Sequence, residues 1–238
     1  MTAPRRATSR RTEVAPERLA GWVERFAAAH GGLVAVPDAG RVVLTAADGA
    51  VGRLAVPFPP LAEDGDPSAV DEELVAVLVA HALRERRVGV LLVRLGGHAA
   101  GVFEGSRLVV SKVGSRQVHG RSAAGGWSQQ RFARRREGQV RVALAAAADV
   151  AARVLLPGAG RLDAVVTGGD RRSVDAVLED PRLAGLLPLV VPPLLDVPDP
   201  RLAVLEGTPA RFRAVRVEVV DPPQAEGAES TGATVRPH

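Results

Sequence analysis

Apolar positions change their rhythm near residue 88. Before it, Leu19, Trp22, Val23 and Phe26 recur at helical spacing, which predicts a helix over residues 13–30 that stops at Gly31-Gly32. LVAVP, RVVLTA and VGRLAVP alternate in the manner of three short strands, with turns at Pro37-Asp38-Ala39-Gly40 and Asp48-Gly49. PFPPLAEDGDP reads as a linker or exposed loop. Residues 69–87 read as a second helix, acidic at its start (Asp71, Glu72, Glu73) and basic at its end (Arg84, Arg86, Arg87), as the helix dipole favours.

From Val88 the pattern is that of a three-strand meander, VGVLLVRL, AAGVFEG and RLVVSKVG, with turns at Gly-Gly-His and Glu-Gly-Ser. A basic, glycine-containing stretch follows, then a long helix over about residues 128–156. Phe132, Val140, Ala143, Ala147, Val150 and Val154 fall on one stripe of that helix, which assigns this face to a sheet. Arg131, Arg134, Arg135 and Arg141 avoid the stripe. Gly138 within it costs about 1 kcal/mol relative to Ala and marks a candidate bend. LDAVVTGG reads as a buried strand, RRSVDAVLED as a helix, LPLVVPPLLDV as a further extended segment and RFRAVRVEVV as a final alternating strand. Residues 1–12, with four Arg and no acid, read as a disordered basic arm, and the stretch from 221 as a disordered tail.

Charge then singles out one region. The chain has 238 residues and a formal net charge of only +4, yet residues 107–141 hold eight Arg and Lys112 against a single acid, Glu137. A basic zone on a mildly acidic body predicts a polyanionic partner docked at one place, against the simpler reading of a solvated helix face. Cysteine is absent, which excludes disulfides and thiolate metal sites. Apolar runs are broken by Pro, Arg or Gly short of a membrane span, and arginines rather than an apolar core follow Met1. The expectation is a cytoplasmic protein with no membrane partner.

The stretch GSRQVHGRSAAGGWSQQRFARRRE, residues 114–137, combines a flexible loop with the start of the long helix. Unpaired N–H groups at a helix start face an incoming anion. Glutamines sit at the junction with no Cys, Asp or His beside them to act as nucleophile. GVFEGSRLVV, HGRSAAGGWSQQRFARRR and AVVTGGD, in this order and spacing, resemble the catalytic domain of eukaryotic and archaeal class-1 translation release factors over residues 88–200 or so. The whole chain is more similar to the bacterial, actinobacterial-type VLRF family of release-factor-like peptidyl-tRNA hydrolases, linked to ribosome-associated quality control.

The resemblance implies an α/β (α+β) fold with a mixed sheet and a long helix after a mobile Gly-rich loop. It implies an N-terminal helix/strand region over residues 13–87 and a catalytic domain over 88–220. Release factors carry Gly-Gly-Gln at the loop tip. Here Gly125-Gly126 is followed by Trp127, and Gly126-Trp127-Ser128-Gln129 fits the Gly-x-x-Gln pattern of the quality-control hydrolases. The implied catalytic amide is Gln129, with Gln130 as its substitute. Glycines at 125 and 126 allow close backbone approach that a Cβ would forbid. The implied RNA contacts are Lys112, Arg116, Arg121, Trp127, Arg131, Arg134, Arg135 and Arg136, the arginines able to grip phosphates bidentately. The implied partners are peptidyl-tRNA and the large ribosomal subunit, the state a monomer, with no metal and no cofactor.

Plainer readings stand beside these. Gln129 also fits an ordinary first-turn residue behind a Ser128 N-cap, and Trp127 fits loop packing as well as base stacking. His119 reads as a phosphate contact or surface residue, His98 as an inert turn residue, and Asp170 as the cap of the helix that follows it. The alternative functions are a non-catalytic ribosome- or RNA-binding module and a protein whose basic loop docks an acidic partner.

Overall fold

A computed structural model describes residues 9–61, 72–115 and 128–222, and for residues 128–133 the backbone alone. Ten strands form two five-stranded sheets. The first contains β1 (Ser9–Val14), β2 (Leu33–Asp38), β3 (Arg41–Ala46), β4 (Val51–Ala55) and β10 (Val215–Val220), in the order β1-β10-β4-β3-β2, antiparallel throughout. Helices α1 (Leu19–His30) and α2 (Glu72–Leu83) cover one of its faces. Leu19, Val23 and Phe26 of α1 and Leu74 and Leu78 of α2 meet Val42, Leu44, Leu54, Val215 and Val217 there. Gly31 ends α1 in the left-handed region, φ 80°, and the N–H groups of Gly31 and Gly32 both donate to the Ala27 carbonyl.

The second sheet has the order β7-β6-β5-β8-β9. β5 (Arg87–Arg94), β6 (Gly97–Glu104) and β7 (Arg107–Ser115) are the expected meander, while β8 (Ala164–Gly169) and β9 (Val190–Leu195) run parallel to β5. Both faces are covered, which is why β5 and β6 read as continuous apolar runs. Leu91, Val93, Ala100 and Val102 face α3 (Ser128–Leu155) and α4 (Arg171–Leu178). Val88, Val90, Leu92, Ala99 and Phe103 face the opposite core, with Leu205 of α5 (Leu202–Glu206) and Phe212 of α6 (Pro209–Phe212). Phe103 and Phe212 meet edge-on at 5.7 Å between ring centres.

Gly169 joins β8 to α4 at φ 103°, and a Cβ there would lie 2.2 Å from the Val93 carbonyl oxygen, so the AVVTGGD turn admits only glycine at this point. The Asp170 carboxylate then accepts the Ser173 N–H at 3.2 Å, the capping role expected of it.

Three expectations change. Residues 9–12, read as part of a disordered arm, are most of β1. Arg11 and Ser9 donate to Glu218 and Arg10 to Asp221, so the arginines that suggested a free arm pin a strand to β10. β10, assigned by sequence to the catalytic domain, belongs to the first sheet, because Val215, Val217 and Val219 are buried in that core. The first helix begins at Leu19 rather than residue 13, since Glu13 and Val14 are spent on β1. The tail from residue 223 and the linker residues 62–71 lie outside the described residues.

Candidate nucleic-acid interface

The end of the second sheet fixes where the loop is rooted. Across it, Ser115 pairs with Gly97, Gly97 with Arg94, and Val93 with Gly169. The strand that enters the loop, the β5–β6 turn and the start of α4 therefore share one end of the sheet. Helix α3 runs back from that end, because Leu155 at its finish packs on Gly89 near the beginning of β5. With 28 residues α3 is ~42 Å long, while the eight residues of β5 span only ~26 Å. The first three turns of α3 consequently stand beyond the sheet. Burial agrees: Arg134, Arg135, Arg136 and Glu137 are exposed, and among the described side chains of α3 the first buried one is Ala147. Val140, Ala143 and Val150 of the expected stripe are half-buried, Ala147 and Val154 fully so.

Gln129, Gln130 and Arg131 lie in the first turn of α3, their side chains outside the described residues. Gly125, Gly126, Trp127, Arg116 and Arg121 lie outside the described residues, as does His119. Arg134, Arg135 and Arg136 are brought together on the projecting end of the helix. Lys112 is exposed on β7, opposite Ala100, and so on the sheet face that carries α3. No acid occupies the first turn of α3. Positive side chains near a positive helix end repel one another and the dipole, an arrangement an anion relieves.

Two features went unread in the sequence. Arg171 and Arg172 open α4 at the same end of the sheet, exposed and with no ion pair among the described residues. The signal was available, since an Arg pair just after a capped Gly-Gly-Asp turn has to sit at the strand's C-terminal end. His98 is the second. It belongs to β6 rather than a turn, is 5% exposed, and lies on the α3 face opposite Gly114. A Cβ on Gly114 would lie 2.3 Å from His98 Nε2, so the glycine leaves the space that the imidazole fills at the root of the loop. The two-residue turn is Leu95-Gly96 instead, with Gly96 at φ 120°.

Among the described residues no group of three His, Asp or Glu could hold a metal. The stretch 134–161 is long and apolar enough to cross a membrane by length and composition. Its Ala147, Ala148, Ala151, Val154 and Leu155 are packed against the sheet, as in the core helix of a globular domain.

The profile of the Actinobacteria/chloroflexi VLRF1 release factor family matches residues 86–218. A protein with a mixed sheet, a glycine loop and a projecting basic helix is thus of the release-factor-like class. The chain belongs to the Actinobacteria/chloroflexi VLRF1 release factor family. Among curated proteins none matches the chain. Solved structures similar to it include one described only as an archaeal protein, 17% identical over 71% of this chain, with a TM-score of 0.38. The archaeal translation termination factor aRF1 is 14% identical over 88% of this chain and 68% of its own, with a TM-score of 0.39. The mitochondrial localization core of Vms1 is 8% identical over 74% of this chain and 75% of its own, with a TM-score of 0.36. The chain spans 52% of the first of these structures.

Proposed function

We propose that the protein is a ribosome-dependent peptidyl-tRNA hydrolase that frees nascent chains from stalled large-subunit complexes in the cytoplasm. The observation that carries this reading is the exposed Arg134-Arg135-Arg136 run on the basic N-terminal part of α3, which in sequence follows closely on Gly125-Gly126. Reach and charge serve one purpose in such a design. The arginines, with Lys112 and the loop's Arg116 and Arg121, hold RNA phosphates through charge-assisted, bidentate contacts. The loop then carries an uncharged amide toward the ester between peptide and terminal ribose.

The reaction asks little of a side chain. Water attacks the ester carbonyl carbon, the carbonyl oxygen takes up negative charge, and the carbon–oxygen bond to the ribose breaks as that oxygen gains a proton. Positioning water and stabilising the oxyanion supply most of the acceleration. A glutamine offers a backbone N–H to the oxyanion and a carboxamide to the water. Gln129 is assigned this task and Gln130 is its neighbour in the same helical turn.

The test is release of labelled peptide from purified stalled large-subunit complexes. Gln129→Ala, which keeps the backbone N–H and removes the carboxamide that orients the water, is expected to lose release by about 100-fold, while subunit binding stays within ~2-fold. Full release by Gln129→Ala but not by Gln130→Ala moves the role one residue on. Full release by both variants discards the glutamine assignment, and no release by the wild type discards catalysis in favour of a binding module.

A further inference from the structure

The face of the first sheet that α1 and α2 leave uncovered is not inert. Strand alternation sends Arg11, Arg53, Arg41 and Arg216 to this one face, from β1, β4, β3 and β10. They line a cavity of about 870 Å³, closed on one side by Pro59 of the linker and Pro192 of β9. Two carboxylates share it. Glu218 is engaged, accepting from Arg11 Nε and Nη2 at 3.1 and 3.0 Å and from the Ser9 hydroxyl at 3.0 Å. Glu13 is the other. Arg41, Arg53 and Arg216 make no side-chain hydrogen bond or salt bridge among the described residues. Arg53, the register partner of Glu218, adds to the charge that lowers the Glu218 pKa, and Glu13 lies opposite Arg216; four guanidinium groups against two carboxylates still leave the face with surplus positive charge.

We infer that this open face is a second docking surface, for the phosphate backbone of double-helical ribosomal RNA; the inference rests on the ribosomal reading above. Three observations select this occupant. The unpaired cations are all arginines, whose planar fork matches phosphate oxygens. Among the described residues no aromatic side chain lines the cavity, which favours contact with backbone over stacking on unpaired bases. The cations are spread across three adjacent strands, a span of ~10 Å, which suits a chain of repeated charges better than one isolated anion.

The surface is also set apart from β7, the strand that ends at Ser115. Pro192 lies on β9, at the opposite edge of the second sheet from β7 and four strand spacings away, ~19 Å.

The experiment measures binding of the full chain to a short RNA duplex of arbitrary sequence and to purified large ribosomal subunits, over a salt series. The variant Arg41→Gln/Arg53→Gln/Arg216→Gln is expected to bind the duplex at least ~10-fold more weakly at low salt. Its slope of log affinity against log salt should fall by about 3, one for each phosphate that no longer meets a guanidinium group. The matching Lys variant, which keeps charge, should retain most of that slope. Wild-type duplex affinity in the Gln variant overturns the inference. So does a Lys variant as defective as the Gln variant, or a Gln variant that loses an acidic polypeptide but not RNA. The two proposals fail separately: absent peptide release with arginine-dependent duplex binding sinks only the hydrolase, and intact release with unaltered duplex binding sinks only this surface.

Discussion

The first sheet buries one face under α1 and α2 and offers the other to solvent, while the second is covered on both sides. Each has five strands. In the second, Val90, Leu91, Leu92, Ala99, Ala100, Val102 and Phe103 are all essentially inaccessible, whichever way they point. In the first, Val42, Leu44 and Leu54 are fully buried, while Val34 and Val36 remain 53% and 46% exposed. The doubly covered strands are the rigid support on which the C-terminal half of α3 packs. The singly covered sheet keeps a broad charged surface available, at the cost of a thinner core.

Substitution at matched apolar positions gives the largest test of that contrast. Phe103→Ala empties a fully buried site against the Phe212 ring and should cost about 3–5 kcal/mol, read as a lower midpoint in urea. Val36→Thr on the open face should stay within ~0.5 kcal/mol. Equal costs would mean that the face of the first sheet is covered in solution. A middle-sized effect sits at the loop root. Gly114→Ala drives a methyl into His98 and should cost about 1–3 kcal/mol, and His98→Ala in the same chain should recover part of that loss. Additive damage in the double variant would show that the imidazole is not what Gly114 accommodates.

The smallest effect concerns the seam between the two sheets. His81 Nε2 of α2 lies 2.8 Å from the Pro57 carbonyl oxygen and 2.9 Å from Arg86 Nη2, and Arg86 also donates to the His81 carbonyl and stacks over Phe58 at 5.0 Å. One ring nitrogen satisfies only one of these partners. Burial, aided by the nearby Arg86 and Arg84 charges and opposed by the Pro57 carbonyl, holds the His81 pKa below its ordinary value. The neutral ring is thus the folded form. Its contribution is full above ~6.5 and is lost as pH falls through the lower folded-state value. Melting temperature should decline over that window in the wild type and decline less in His81→Gln. Identical pH profiles would remove His81 as the cause.

The same contrast explains which parts were legible in the sequence. The meander, α3, β8 and α4 were readable because their apolar runs are uninterrupted and bounded by Gly turns. Ser9–Val14 was not: five of its six residues are exposed, so no alternation marks it as a strand, and its pairing partner lies at the other end of the chain. β10 was recognised as a strand but its sheet was not legible, since periodicity reports burial and not the neighbour that provides it. Helices α5 and α6 went unseen because they are five and four residues long and interrupted by Gly207, Thr208 and Pro209. At the candidate site, the projecting basic helix start was legible from Arg spacing. Arg171, Arg172 and the buried His98 were not, because what they do depends on strand register.

Strand β10 is the hydrogen-bonded neighbour of both β1 and β4, and Ser9 bonds to a residue 209 positions away. A growing polypeptide can therefore complete its meander, α3 and β8 while the first sheet still lacks the strand that joins β1 to β4. A chain arrested before Val215 would hold β1 without its partner and the edge of β4 bare to other strands.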